Sequence, residues 1–187
     1  MNLRTKNAKL AGCAVGALSA IVLVLSASPA SASGTYSGLP YVHGAASPYD
    51  DFGDEGVTDI NTNRTSNATC LWQMTLWANG YLSSKASVDG DFGSQTRTAT
   101  ANYQSDAHLQ VDGSAGKQSW SYAGVGQIRY VSGSNDSTLT LAYEGLTTDG
   151  ELTGRNFSMK RDASGDYQFI DGDGAWRYAG YNYRTCS

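Results

Sequence analysis

Residues at helical spacing mark the middle of the chain. Residues 67–82 and 94–107 each run long enough for a helix, and residues 117–123 for a short one. Positions three or four apart lie on one face of a helix. The second segment shows this best, with a common face made of Thr96, Ala99, Thr100, Tyr103 and Ala107. The pattern predicts three helices.

After Gly124 the spacing changes to an alternation of period two. Apolar and polar residues alternate in short segments, and clusters of Gly, Ser or Asp separate them. Alternation between turn clusters is typical of antiparallel strands. The segments are 127–131, 138–141, 156–159, 167–169 and 176–178. We therefore predict an α+β fold in which a three-helix unit is followed by a small antiparallel β-rich tail.

The first helix should be buried on two sides. At about 100° per residue, Trp72, Gln73, Leu76 and Gly80 share one face, which should enter the three-helix core. The other side carries a second apolar stripe of Cys70, Leu71, Met74, Trp77 and Ala78. A monomer rarely leaves such a stripe open. We therefore expect the tail, residues 125–187, to pack on it.

The N-terminus has the pattern of a secretory signal peptide. Its first nine residues hold three basic residues and no acid, residues 10–25 are apolar, and Ala30-Ser31-Ala32 gives a cleavage site of small residues. A transmembrane anchor is the alternative, but it needs about 20 apolar residues. We predict that residues 1–32 are removed and that the mature chain is extracellular, without a membrane span.

Residues 33–66 are rich in Gly, Ser, Asp and Asn and show no sustained period. Pro40 and Pro48 interrupt them further. Such a composition is typical of linkers. We predict a flexible arm before the three-helix unit, which then spans residues 67–124.

Charge and cysteine content narrow the possible partners. Without residues 1–32 the chain keeps 10 basic and 17 acidic residues, a net charge of −7. An acidic protein is poorly suited to nucleic acid, and any binding to an anionic polymer should depend on a local groove. Cys70 and Cys186 would be the two cysteines of the exported chain. An oxidising environment favours one disulfide between them, and two free thiols are the alternative.

One short phrase occurs twice, 23 residues apart. The first copy, residues 88–96, reads V-D-G-D-F-G-S-Q-T, and the second, residues 111–120, reads V-D-G-S-A-G-K-Q-S-W. Asp-Gly favours a turn, because Gly reaches positive φ and Asp bonds its local backbone. The repeat predicts two equivalent turn–helix units on one core.

These phrases and their surroundings resemble the peptidoglycan-binding domain of many secreted bacterial wall hydrolases. That family's pattern runs roughly L-Q-x-x-L-x-x-x-G-Y, D-G-x-F-G-x-x-T, A-x-x-x-F-Q and D-G-x-x-G-x-x-T-W. The matching residues are Gln73, Leu76, Gly80, Tyr81, Asp89, Gly90, Phe92, Gly93, Thr96, Ala99, Gln104, Asp112, Gly113, Gly116 and Trp120. Departures are Trp72 for Leu, Tyr103 for Phe, Ala115 for an aliphatic residue and Ser119 for Thr. The phrase W-Q-x-x-L-W-A-x-G-Y-L is also similar to secreted actinobacterial members.

The resemblance implies a non-catalytic module with peptidoglycan or a related wall polymer as partner. Candidate ligand-binding residues near the turns are Tyr81, Asp89, Tyr103, Asp112 and Trp120. Aromatic rings there could stack on sugars or hold the stem peptide. A turn-stabilising role is the alternative for the two aspartates, and core packing is the alternative for Tyr103 and Trp120.

The chain offers no recognisable catalytic cluster. Its two histidines, His43 and His108, fall short of the three protein ligands of a catalytic zinc site. Glu144 and Glu151 lie near turns and do not form an evident glycosidase pair. We predict no catalytic residue, metal or cofactor. A wall hydrolase with its active site in residues 125–187 is the alternative, and a structural surface protein without sugar binding is a third reading. The sequence names no partner for the tail.

We predict that the secreted protein begins at Ser33, because the small-residue site directly precedes it. Intact-mass measurement of protein from the culture medium checks this. A retained Met1, or a lipid adduct on Cys13, would contradict it.

Overall fold

The computed structural model describes residues 38–186, and the predicted signal peptide lies outside them. Three helices come first, followed by five strands. The helices are α1 (Asn67–Ala78), α2 (Ser94–Asp106) and α3 (Lys117–Gly124). The strands are β1 (Ile128–Ser132), β2 (Leu139–Leu146), β3 (Leu152–Arg161), β4 (Tyr167–Ile170) and β5 (Trp176–Tyr178). This order confirms the predicted α+β fold.

Helix α1 has a defined start and stop. The Ser66 hydroxyl accepts a hydrogen bond from the Thr69 N–H at 3.0 Å and caps the N-terminus. The helix ends earlier than the predicted residue 82, because Gly80 takes a φ of +88°. That conformation turns the chain, and the Tyr81 N–H then bonds back to the Leu76 carbonyl at 2.9 Å.

The five strands form one antiparallel sheet in the order of the sequence. Alternate residues of β2 point into the core, which buries Leu139, Leu141 and Tyr143. Strand β3 begins four residues before the predicted segment. Its extra residues pair with β2, with Leu152 opposite Leu146, so pairing with a neighbour lengthens the strand beyond its own alternation.

The sheet covers the side of α1 that faces away from the other helices. On the helical side, the Trp72 ring lies 5.5 Å from Tyr103 and 5.0 Å from Trp120. On the sheet side, Arg155 donates to the Trp77 carbonyl at 3.0 Å and its guanidinium lies 5.7 Å from the Trp77 ring. Every residue of α1 except Trp77 is buried.

Strand β2 reaches the end of α1 through a glycine. A side chain on Gly145 would collide with the Ala78 carbonyl. The same carbonyl accepts a hydrogen bond from the Thr153 hydroxyl at 2.7 Å. The close approach lets β-sheet side chains satisfy carbonyls that the helix terminus leaves open.

Residues 38–66 differ from the flexible arm that their composition predicts. Val42 and Phe52 are fully buried, and isolated bridges join Tyr41 to Gly180 and Thr58 to Ala115. The segment forms isolated bridges and one short 3₁₀ helix, Asp51–Asp54, so it shows no sustained period in the sequence. Tertiary contacts order it.

A buried ion pair fixes this segment to the sheet. Asp51 and Arg161 form the pair, with side chains 2% and 3% exposed. Tyr167 donates to Asp51 at 2.6 Å, and Arg161 also donates to the Ala46 carbonyl at 2.9 Å. These hydrogen bonds offset the cost of burying both charges.

The disulfide predicted between Cys70 and Cys186 is present. It joins the first turn of α1 to residue 186, 116 positions further along the chain. Neighbouring bonds support it, because the Asn67 side chain accepts from the Thr185 and Cys186 N–H groups at 2.8 and 3.2 Å.

Replacing both Cys70 and Cys186 by Ala should lower the free energy of unfolding by about 2–5 kcal/mol, because the unfolded chain regains the freedom of a long closed loop. Urea denaturation of the double variant beside the oxidised and the reduced wild type measures this. An unchanged midpoint in the double variant would show that the bridge contributes no stability.

Glu55 should make the fold less stable as pH rises. Its carboxylate is buried, accepting from the Tyr181 hydroxyl at 2.5 Å and the His43 N–H at 2.8 Å. Burial raises its pKa from 4.5 to about 8. The folded state therefore keeps a proton that the unfolded chain releases. The stabilisation is complete below pH 4.5 and is lost as pH rises towards 8, at up to about 1.4 kcal/mol per pH unit.

The Glu55→Gln variant should show a flatter decline of unfolding free energy between pH 4.5 and 8 than the wild type. Denaturation at a series of pH values measures it, with the exposed Glu151→Gln as control. Identical pH profiles for the wild type and Glu55→Gln would exclude Glu55 as the source.

Candidate functional site

Two glutamines organise the repeated turns, one on each of the first two helices. The Gln73 side-chain oxygen accepts from the N–H groups of Asp89 and Gly90 at 3.0 and 2.7 Å. Its amide nitrogen donates to the Asp89 carboxylate at 2.8 Å and to the Thr96 hydroxyl at 3.0 Å. One buried side chain thus joins a helix to the following turn and the next helix.

Gln104 repeats this arrangement in the second unit. Its oxygen accepts from the N–H groups of Asp112 and Gly113 at 3.1 and 2.9 Å. Its nitrogen donates to the Asp112 carboxylate at 2.9 Å and to the Ser119 hydroxyl at 3.0 Å. Ser119, which departs from the family's Thr, supplies the same hydroxyl that Thr96 supplies in the first unit.

The two aspartates act within their turns. Asp89 accepts from the Asp91 N–H at 2.9 Å, and Asp112 accepts from the Ser114 N–H at 2.8 Å. Gly90 and Gly113 complete the turns at φ values of +69° and +73°. These bonds correspond to the turn-stabilising alternative for Asp89 and Asp112.

The structure places the candidate aromatic residues in different environments. Trp120 is fully buried between Trp72 and Phe52, whose ring lies 5.3 Å away, as the core alternative expects. Tyr81 and Tyr103 are neighbours, with ring centres 5.4 Å apart. Tyr103 also contacts the core ring of Trp72 and is 3% exposed, whereas Tyr81 is partly buried against the core.

Tyr81 and Tyr103 line a cavity of about 220 Å³, called here the tyrosine pocket. Tyr122 of α3 completes an aromatic row, its ring centre 5.9 Å from that of Tyr103. Asp106 at the end of α2 and Gln127 before β1 line it as well. The loop between β2 and β3 supplies the opposite wall, through Thr147, Thr148 and Gly150.

The Asp106 carboxylate fixes the polar side of the pocket. It accepts from the Tyr81 hydroxyl at 3.0 Å and from the Thr148 hydroxyl at 3.4 Å. Burial and this hydrogen bond raise the pKa of Tyr81 to about 12, so its phenol keeps its proton at physiological pH. The contact also joins α2 to the β2–β3 loop.

Two buried polar atoms of the pocket lack hydrogen-bond partners among residues 38–186. They are the Tyr103 hydroxyl and the side-chain oxygen of Gln127, in residues that are 3% and 4% exposed. Leaving such an atom unpaired costs about 1–3 kcal/mol. Where such atoms belong to residues that line a cavity, a ligand in the cavity is one explanation for them.

Other hollows are larger but less specific. One of about 420 Å³ lies beside Tyr49 and Tyr130, and another of about 350 Å³ lies beside Gln104 and Lys117. No side-chain atom of the described residues lining these hollows is both buried and unpartnered. The tyrosine pocket is therefore the candidate site.

Sequence reasoning identified Tyr81 and Tyr103 and missed Asp106, Tyr122, Gln127 and Thr148. The pocket combines the ends of three helices with a loop of the sheet, so its residues are far apart in sequence. No local motif connects Gln127 or Thr148 to the tyrosines. The aromatic residue Tyr122, three positions after the motif residue Ser119, was the one available signal.

Residues 38–186 contain no group of three or more His, Cys, Asp or Glu side chains placed to hold a metal ion. None of the helices in this part of the chain has the length and apolar character needed to cross a membrane.

Comparison with known families gives a match in the helical unit. No curated protein and no solved structure matches the chain. Residues 65–121 match the family model described as "Putative peptidoglycan binding domain". The matched stretch begins just before the Ser66 cap and includes both glutamine-centred turns. This part of the chain is therefore similar to peptidoglycan-binding domains, as its motifs predict.

Proposed function

We propose that this protein is a secreted, non-catalytic binder of peptidoglycan or a closely related wall polymer. The observation that carries the proposal is the match of residues 65–121 to a peptidoglycan-binding family. That stretch contains α1, α2 and most of α3, held by the Gln73 and Gln104 networks. A cell-wall setting agrees with the predicted signal peptide.

The tyrosine pocket is the proposed contact surface. At its rim the ring of Tyr122, which is 46% exposed, can contact sugar C–H groups. Asp106 and Gln127 add polar groups that can set the orientation of a ligand. Recognition by a local pocket suits a chain whose net negative charge gives no general attraction to anionic polymers.

The β-rich tail serves this function as the second wall of the site. We assign residues 1–32 to the signal peptide, 67–124 to the binding unit and 125–187 to the tail. Gln127 and the β2–β3 loop then belong to the tail, and Tyr81, Tyr103 and Tyr122 belong to the binding unit. The pocket therefore depends on both parts.

Two acidic residues of the tail, Asp171 and Glu144, have structural roles. Asp171 is fully buried and accepts from the Arg177 guanidinium at 2.7 Å and from the Ala175 N–H at 2.9 Å. Glu144 pairs with Arg129 at 2.9 Å on the sheet. These carboxylates stabilise a turn and a strand pair, and neither lines the tyrosine pocket.

Protein purified from the medium should co-sediment with insoluble peptidoglycan and release no soluble sugar or peptide from it. Replacing Tyr122 by Ala should weaken co-sedimentation several-fold, because the exposed ring supplies contact area at low entropic cost. The matched control is Tyr49→Ala, which removes a ring that is 50% exposed outside the pocket.

The outcomes separate the three functional readings. Protein that stays in the supernatant would favour a structural surface protein. Steady release of reducing ends or free amines would favour the wall hydrolase. Equal losses in Tyr122→Ala and Tyr49→Ala would place the contact surface elsewhere.

A further inference from the structure

Tyr103 and Gln127 line one cavity and carry complementary hydrogen-bonding groups. The phenol of Tyr103 can donate a proton, and the side-chain oxygen of Gln127 can accept one. Burial raises the pKa of Tyr103 well above 10, so the phenol remains a donor across the physiological range. Both atoms are buried and lack a partner among residues 38–186. A ligand that satisfies both needs one acceptor and one donor close together.

A secondary amide has this pair of groups. Its carbonyl accepts from the Tyr103 hydroxyl, and its N–H donates to the Gln127 oxygen. The small apolar group next to the amide can then pack against the tyrosine rings. Peptidoglycan offers this chemistry in two places, the acetamido groups of its amino sugars and the peptide bonds of its stem.

The charge of the pocket distinguishes the two sources. Asp106 contributes a carboxylate, and none of the described residues that line the pocket is a lysine or an arginine. A stem peptide that ends in a carboxylate would bring a second negative charge beside Asp106, which is unfavourable in a partly buried site. An amino sugar acetylated on nitrogen is neutral at this group. Its hydroxyls can donate to Asp106, and its ring can lie on the exposed face of Tyr122.

We propose that the tyrosine pocket binds the acetamido group of an N-acetylated amino sugar, with Tyr103 and Gln127 as the pair that recognises the amide. This inference rests on the proposed function and names the part of the wall polymer that is bound. The cavity of about 220 Å³ suits a small group of this kind, while the rest of the glycan follows the open rim.

The first test is a titration of the secreted protein, followed by NMR, with three soluble probes. N,N′-diacetylchitobiose carries neutral acetamido groups, its fully deacetylated disaccharide lacks them, and N-acetyl-D-alanyl-D-alanine carries amides with a carboxylate. We expect the diacetylated sugar to bind at least tenfold more tightly than either of the others. Its shift changes should centre on Tyr103, Tyr122 and Gln127.

The second test uses variants that remove the recognising atoms and keep the size of the side chain. Tyr103→Phe keeps the ring and loses the hydroxyl, and Gln127→Met keeps the length and loses the amide. Each should weaken binding of the diacetylated sugar about fivefold, the usual loss for one neutral hydrogen bond. The thermal midpoint should stay unchanged or rise, since the free protein loses no hydrogen bond to these atoms. Tyr130→Phe and Gln118→Met are matched controls at exposed positions outside the pocket.

Three results would overturn this inference while wild-type protein still sediments with peptidoglycan. They are unchanged sugar binding in both pocket variants, equal binding of the deacetylated sugar, and tighter binding of the dipeptide. A lowered thermal midpoint in Tyr103→Phe or Gln127→Met would assign those atoms to the fold and overturn it as well. Sugar binding without sedimentation of the wild type would instead reject the proposed function and retain the specificity of the pocket.

Discussion

The structure depends on the burial of helix α1 on both of its sides. Eleven residues of this helix are buried. Trp72 contacts the other helices, and the opposite face of α1 contacts the sheet. A large apolar side chain contributes about 1.5–3 kcal/mol when it leaves water, so a helix covered all round provides much of the stability available to a small fold. The other two helices and the sheet pack against α1, which therefore lies at the centre of the core.

Polar groups at the two ends of α1 make this burial possible. At the N-terminus, the Asn67 side chain donates to the Tyr178 carbonyl at 2.9 Å and accepts from the last residues of the chain. At the C-terminus, Asn79 donates to the Tyr143 hydroxyl at 3.0 Å and accepts from the Leu146 N–H at 2.9 Å. Without these partners the terminal backbone and amide groups would be buried unpaired. The sheet therefore supplies hydrogen-bond partners to the ends of the helix as well as covering its apolar face.

The same geometry places the candidate site. Gln73 and Gln104 fix the turns that follow α1 and α2, and Gly80 sends the chain back so that Tyr81 meets Tyr103. The β2–β3 loop reaches this edge because Gly145 allows β2 to approach the end of α1. A rigid core thus holds a pocket whose walls come from both halves of the chain. Fixed walls favour recognition, because a preorganised pocket loses little conformational entropy when a ligand binds.

The sequence by itself determined the fold class, most of the secondary structure and the similarity of residues 65–121 to peptidoglycan-binding domains. Residues spaced three or four apart predicted the helices, and alternating residues predicted the strands. A buried face of a helix or a strand repeats at these spacings. The repeated Asp-Gly phrases gave the paired turns, because Gly at positive φ is a local requirement. Two cysteines in a chain predicted to be exported gave the disulfide. Each of these conclusions depends on residues that are near one another in the chain, or on a count.

Only the tertiary structure decided which residues meet. The order of residues 38–66 comes from single contacts such as the Asp51–Arg161 pair, which leave no pattern in the sequence. Tyr103 and Gln127 line the same pocket because the sheet packs against the helices. Trp120 and Tyr81 look alike as aromatic residues near a motif, yet one is in the core and the other lines a cavity. The physical reason is that burial and pairing are properties of the assembled chain, whereas periodicity and turn chemistry are properties of its segments.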